Sequence, residues 1–297
     1  SSATDVMVIG FVNSGLMSLT QAIGVIMGAN IGTTITAQIT AFNLSAYAPM
    51  ILFVGAVLYL FMKKDMVKYV GSIIMGFGML FEGIALMKTA IAPLAETEAF
   101  IHMISALENP FLTVLFGILF TALLQSSSSA TVIFQAFAVQ GIISYETSVY
   151  LVIGAAIGSV TPNILASLTM SRNGKRTALL NLLFNLIRAG ILMILLFIFP
   201  QILTIIKSLS PGNVARQIAN THTIFAIFAV LVMLPFSDKI VKLTQTLLPL
   251  KPEESRTGEE RKLLYMTQTG TIPSAVAVSQ AHREITRMGE IASRNLK

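Results

Sequence analysis

The stretch Gln125-Ser126-Ser127-Ser128-Ser129 sets five consecutive hydrogen-bonding side chains in the middle of an apolar run. Phe111 to Leu124 precede it and Ala130 to Val139 follow, 14 and 10 residues. As helix these flanks reach roughly 15–21 Å, short of the ~30 Å hydrocarbon core of a bilayer. Two half-length arms meeting at a polar tip describe a re-entrant hairpin. Unsatisfied polar groups are costly in lipid, so such a tip normally lines a cavity or a solute path. The plainer alternative has serines that back-bond to carbonyls or hold helices together. That suits one or two serines better than a Gln with four.

The bilayer frame rests on composition. The chain is 54% hydrophobic and 11% charged, with mean hydropathy +0.77, whereas soluble domains carry about 25% charged residues. A soluble fold is excluded. The net charge of +6 does not point to nucleic acid, because the Lys and Arg fall in short loops and the C-terminal tail, as in cytoplasmic loops. With no cysteine, neither a disulfide nor a Cys-ligated metal contributes. The opening Ser1-Ser2-Ala3-Thr4-Asp5 has no basic n-region and no Met, so no cleavable signal is expected and the chain reads as trimmed.

Along the chain, Gly28-Ala29-Asn30-Ile31-Gly32-Thr33-Thr34-Ile35-Thr36 interrupts an apolar run with glycines and threonines. A broken helix is expected there, or alternatively a small-residue packing seam. Spans follow at 48–62 and 70–94, then 149–168, 179–199 and 218–236, with a turn-forming loop at Ser171-Arg172-Asn173-Gly174. The connector 95–110 is acidic, with Glu96, Glu98 and Glu108. If the hairpin does not cross, the basic loops Lys63 to Lys68 and Arg172 to Arg176 and the tail from Lys239 all lie on the cytoplasmic side, opposite 95–110. A single crossing at 111–140 would put Arg172 to Arg176 outside, against the positive-inside rule.

An internal repeat agrees. Ser1-Ser2-Ala3-Thr4 matches Ser128-Ser129-Ala130-Thr131, and Gly28-Ala29-Asn30-Ile31-Gly32-Thr33 matches Gly154-Ala155-Ala156-Ile157-Gly158-Ser159. An odd number of crossings separates the copies, which inverts the second. The fold class expected is an all-α membrane protein, an inverted-repeat secondary transporter with re-entrant hairpins and broken helices. Its divisions would be 1–140, a first repeat lacking its entering arm and running into the second hairpin at 111–140; 141–249, the rest of the second repeat; and 250–297, a cytoplasmic linker leading into a soluble helical segment.

Gln125-Ser126-Ser127-Ser128, the paired segment at 28–33, Arg216-Gln217-Ile218-Ala219 and His222-Thr223-Ile224-Phe225 resemble the type II sodium/phosphate cotransporters, especially bacterial members. The resemblance covers residues 1 to about 250, and 273–297 looks like the start of a domain similar to the phosphate-regulatory protein PhoU. It implies sodium-coupled phosphate transport in the inner (cytoplasmic) membrane, multi-pass with a cytoplasmic C-terminus, and no enzyme activity. A homodimer is compatible with it, and no nucleic-acid partner is implied. Three positions depart from the pattern: the first motif lacks its Gln, Asp5 stands where Thr or Ser is usual, and Ala156 replaces an Asn.

On this reading Ser126, Ser127, Ser128, Ser1 and Ser2 donate to phosphate, aided by helix N-termini. Gln125, Asn30, Thr33, Thr34, Asp5, Ser159 and Thr161 lie near sodium, which takes hard oxygen ligands. Glu82 and Arg188 are expected to pair or face water, His222 to cap its span, and Asn181 with Asn185 to hold helices together. The rivals are transport of another anion, a phosphate sensor signalling through the tail, and an intramembrane serine hydrolase using His222. The hydrolase lacks a Gly-Xaa-Ser-Xaa-Gly elbow.

Overall fold

The computed structural model describes residues 1–42, 44–95, 97, 107, 109–249 and 274–295, and among them there is helix and no strand. The acidic connector's Glu96, Glu98 and Glu108 and the linker 250–273 lie outside the described residues. The chain divides into two units, Ser1–Leu247 and Leu248–Lys297. In the second, α14 (Ser274–Asn295) carries an ion pair between Arg287 and Glu284 one turn apart.

The polar tip at 125–129 forms a tight turn between two short helices, α6 (Pro110–Leu124) and α7 (Ser127–Val139), of 15 and 13 residues. Asn109 caps α6 by accepting from the Phe111 N–H at 2.9 Å, and Pro110 suits the first helical position. Gln125 ends α6 in the left-handed region with φ 56°, which stops the helix as a C-terminal Asn or Gly would. Ser126 is extended and caps α7, its Oγ accepting from the Ser129 N–H at 3.2 Å.

The interrupted helices are gentler than an unwound loop. Between α2 (Leu19–Gly32) and α3 (Thr34–Thr40) only Thr33 falls outside the two helices; its N–H still donates to Ala29 O at 2.9 Å and its dihedrals stay helical. Ser159 and Val160 separate α8 (Tyr145–Gly158) from α9 (Thr161–Ser167), again with helical dihedrals. Local hydroxyls take part at both breaks: Thr33 Oγ1 donates to Ala29 O at 2.8 Å, a carbonyl that the Thr33 N–H also bonds, and Ser159 Oγ donates to Ala156 O at 2.9 Å, a carbonyl released because the Val160 N–H turns to Ile157 O.

The glycine seam offered as the alternative for 28–36 is not found there and lies instead in the matching segment at 154–158. Gly154 and Gly158 of α8 press on the backbone of α6 at Val114 and Ile118, and a Cβ on Gly117 would lie 2.5 Å from Leu151 O. Gly28 and Gly32 have nothing within 4 Å. A second seam joins α4 (Ala48–Phe61) to α5 (Asp65–Ala95), where a Cβ on Gly71 would lie 2.7 Å from Tyr59 N. Close approach through small residues is how helices associate in lipid.

One expected loop is helix. Arg172, Asn173 and Gly174 open α10 (Arg172–Ile198) rather than forming a turn. Asn13, at the end of α1 (Ser2–Asn13), accepts from both the N–H and the Oγ of Ser171, at 2.9 and 2.6 Å. With Ser171 so held, the helix starts one residue later. The chain continues through α11 (Gln201–Ser208), α12 (Val214–Met233) and α13 (Ser237–Leu247). Among the described residues, six helical stretches, 19–40, 44–61, 65–87, 145–167, 172–198 and 214–247, are long and apolar enough to cross a membrane.

Two apolar clusters organise the first unit. Val8, Ile23, Ile26, Leu180, Phe184 and Met233 form one, and Phe134, Leu151, Val152, Leu192, Leu196 and Phe225 the other. Helix α10 belongs to both, Leu180 and Phe184 to the first and Leu192 and Leu196 to the second. The halves also exchange contacts: α1 packs on α9, and α7 on α3.

Candidate functional site

Where α10 passes from one apolar cluster to the other it presents Asn181, Asn185 and Arg188, at i, i+4 and i+7 on one helix face. They meet the N-terminal ends of two helices. Ser1 and Asp5 come from the start of α1, and Ser127 and Thr131 from the start of α7. Asn30 and Thr33 stand at the first helix interruption, Ser159 at the second, and His222 on α12. Asn185, Arg188 and these others line one polar chamber. It leaves about 10 Å³ for the centre of a guest molecule, enough for one water.

The chamber holds one cation and one acid, both away from solvent. Arg188 is 4% exposed. Its Nη1 donates to Asn30 Oδ1 at 2.8 Å, while Nε is buried with no partner. Asp5 is 6% exposed. Its Oδ2 accepts from Asn163 Nδ2 at 3.2 Å and from Asn181 Nδ2 at 2.9 Å, and its Oδ1 has no partner. Asn181 is itself held by Asn185, whose Nδ2 donates to Asn181 Oδ1 at 2.8 Å. Asn163 Oδ1, Asn185 Oδ1 and His222 Nδ1 are also buried without partners. Buried polar atoms are nearly always bonded, so this density of open valences is a chemical signal. A guanidinium donor lacks an acceptor, and three carboxylate or amide oxygens lack a donor. The first invites an oxyanion, the second a hard cation.

Of the residues singled out in the sequence, Ser1, Ser127, Asp5, Asn30, Thr33 and Ser159 come together here. Others do not line the chamber. Gln125 is exposed at the turn and Ser126 is the cap of α7. Ser2 and Ser128 point elsewhere on their helices, being absent from the lining. Thr34 donates back to Ile31 O and Thr161 back to Gly158 O. Arg188 does not pair with Glu82; its partner is Asn30. Asn181 and Asn185 tie to one another, and Asn181, donating to Asp5 Oδ2, also links α10 to α1.

Thr131, Asn163 and Arg188 are not singled out by the sequence as ligands, and His222, expected there to cap its span or to serve the rival hydrolase, lines the chamber. A usable signal existed for Arg188: Thr177, Asn181, Asn185 and Arg188 form a polar stripe at helical spacing on an otherwise apolar helix.

The sequence matches the Na+/Pi-cotransporter family over residues 1–89 and 83–233. The chain belongs to that family. It is a transporter family and not an enzyme family, and with six apolar helical stretches the protein is a multi-pass membrane protein. Among similar proteins, the "Putative inorganic phosphate export protein YjbB" of Escherichia coli strain K12 is 30% identical over 291 residues, covering 98% of this chain and 52% of that protein. The protein of the same name in Salmonella typhimurium is 28% identical over the same length. The "Uncharacterized protein YqeW" of Bacillus subtilis is 27% identical over 252 residues, 84% of this chain and 80% of that one. The chain thus spans about half the length of the phosphate export relatives it matches. No solved structure matches it.

Proposed function

We propose that this member of the Na+/Pi-cotransporter family is a sodium-coupled secondary transporter of inorganic phosphate in the cytoplasmic membrane, with substrate and ions held near the bilayer midplane. The observation that carries this reading is the buried guanidinium of Arg188, bonded only to a neutral amide in a chamber where two helix N-termini converge. A charge inside a membrane protein is expensive and normally functional. Helix N-termini carry roughly +0.5 charge and free N–H groups, so Arg188, Ser127 and Ser1 together make a phosphate cradle. Asp5 Oδ1, Asn163 Oδ1 and Asn185 Oδ1, left without donors, are the oxygens proposed for sodium, which offsets the anion's charge.

The mechanics follow from the short helices. At 15 and 13 residues, α6 and α7 reach roughly 20–23 Å, so we read them as a re-entrant hairpin. The exchanged packing of α1 on α9 and α7 on α3 is what an inverted repeat produces. The chamber is too tight for phosphate as it stands, so binding and release accompany rocking of one half against the other.

Because relatives are named for phosphate export, outward flux is a second reading. Coupling fixes the ratio of ions to phosphate, and the gradients fix the direction. Labelled phosphate uptake into proteoliposomes, with sodium replaced by potassium outside, tests the first reading. Sodium-dependent accumulation is expected; equal flux in both salts would remove sodium, and no flux in either would remove phosphate. Efflux from phosphate-loaded vesicles under a reversed gradient tests the second.

A further inference from the structure

A second cavity of about 280 Å³ is lined in part by Thr40, Val132, Gln135, Gly212 and Ala215. Three helices connect the two spaces. Helix α7 runs from Ser127 and Thr131 in the chamber to Gln135 in the outer cavity, at i, i+4 and i+8. The α2–α3 interruption leads from Thr33 to Thr40, and α12 leads from His222 back to Ala215. The alanines Ala37, Ala41 and Ala219, with Ala215 packed against them, form a wall of small side chains where α3 meets α12.

The Gln135 side chain fills that wall. It is 4% exposed. Its Nε2 donates to Ala37 O at 3.2 Å and to Ala215 O at 3.0 Å, and its Oε1 accepts from Thr40 Oγ1 at 2.7 Å. One carboxamide on the lining of the large cavity thus ties α7, α3 and α12. Each of the three partners keeps another bond when Gln135 leaves, Ala37 O from the Ala41 N–H and Thr40 Oγ1 to Thr36 O and Ala37 O at 3.1 Å, so the carboxamide can let go without stranding a buried polar group.

We infer that Gln135 is the latch between the outer cavity and the polar chamber, and that its bonds to Thr40, Ala37 and Ala215 break each time substrate passes. The inference rests on the transport reading and adds a positioning residue to it, one that governs access without touching the substrate. It also assigns the outer cavity as the vestibule from which the chamber loads on the side carrying Gly212.

The test uses the absence of native cysteine. Thr131→Cys places a reporter in the chamber, and an impermeant methanethiosulfonate is presented to the side carrying Gly212. Slow modification is expected with Gln135 in place, and modification at least about tenfold faster when Gln135→Ala is added. An unchanged rate overturns the latch. As a second arm, Thr40→Cys with Gln135→Cys is cross-linked by a short bifunctional thiol reagent in the otherwise cysteine-free chain. The expected result is arrest of uptake and protection of the chamber, with uncross-linked protein still exchanging; uptake that continues after complete cross-linking overturns the proposal. Labelling does not depend on phosphate. Failure of the transport reading shows as no uptake by the unmodified protein, and failure of the latch as insensitivity of labelling to Gln135.

Discussion

Replacing Arg188 with Met removes the guanidinium and keeps much of the side-chain volume. Arg188 has free donor capacity at Nε and one bond from Nη1 to Asn30. Two charge-assisted hydrogen bonds to an oxyanion, at roughly 1.5–3 kcal/mol each, sum to about 3–5 kcal/mol after the lost Asn30 contact is allowed for. That is roughly 100- to 4,000-fold in phosphate affinity. Stability moves differently. Stranding Asn30 Oδ1 costs about 1–3 kcal/mol, while removing a buried charge whose only bond is to a neutral amide returns a desolvation penalty of similar or larger size. The folded state should therefore stay within about 2 kcal/mol of the parent. Phosphate binding by calorimetry, uptake in proteoliposomes and thermal unfolding by circular dichroism, suited to a chain without Trp or Cys, separate the two effects. Unchanged phosphate affinity in Arg188→Met would refute the reasoning, and so would a protein that no longer folds, because the guanidinium would then be structural. Arg188→Lys, which keeps charge but not the fork, should fall between.

Asp5→Asn should raise the sodium concentration for half-maximal uptake about tenfold or more while leaving phosphate affinity at saturating sodium nearly unchanged; sodium titration of uptake checks this, and an unshifted curve removes Asp5 from the ion site. Ser127→Ala, losing a hydroxyl that lines the chamber, should weaken phosphate binding about 10- to 150-fold from one charge-assisted bond, read by the same calorimetry. Gly154→Leu drives a side chain into the α6 backbone at Val114 and should destabilise by about 1–3 kcal/mol or block folding, whereas Gly190→Ala, with nothing within 4 Å, should be neutral or up to about 1 kcal/mol stabilising; thermal unfolding of the pair decides. For sidedness, Lys64→Cys and exposed Lys175→Cys should label from one side and Thr97→Cys from the other. Gly174 is unsuitable as a probe because a Cβ there would lie 2.7 Å from Met170 Cβ.

Which parts of this were readable in the sequence follows from where each signal resides. A polar tip between two half-length apolar arms is a local pattern, so α6, α7 and the turn at Gln125 could be drawn from composition alone. Asn30, Thr33 and Ser159 were visible because they interrupt apolar helices. Arg188 was visible as a charge but not as a ligand: its meaning depends on which face of α10 meets α1 and α2, and that is set by Leu180, Phe184, Leu192 and Leu196 burying on two different clusters. Asn163 was hidden for a similar reason, since its partner Asp5 lies 158 residues away. The loop at 171–174 was misread because Ser and Gly are turn residues by propensity, and only the Asn13 side chain, from the other end of the protein, makes Ser171 the start of a helix.

The exchange of partners between halves sets a timetable for biogenesis. Asp5 emerges among the first residues of this segment, but Asn163 and Asn181, which hold its carboxylate, follow 158 and 176 residues later. At about 5–20 residues per second of synthesis, that acid waits roughly 10–35 s for its native ligands. Throughout this interval the Asp5 carboxyl lacks the two amides that hold it in the folded protein. The same contacts that seat the acid beside the polar chamber therefore make α9 and α10, completed well after α1, the elements that satisfy it.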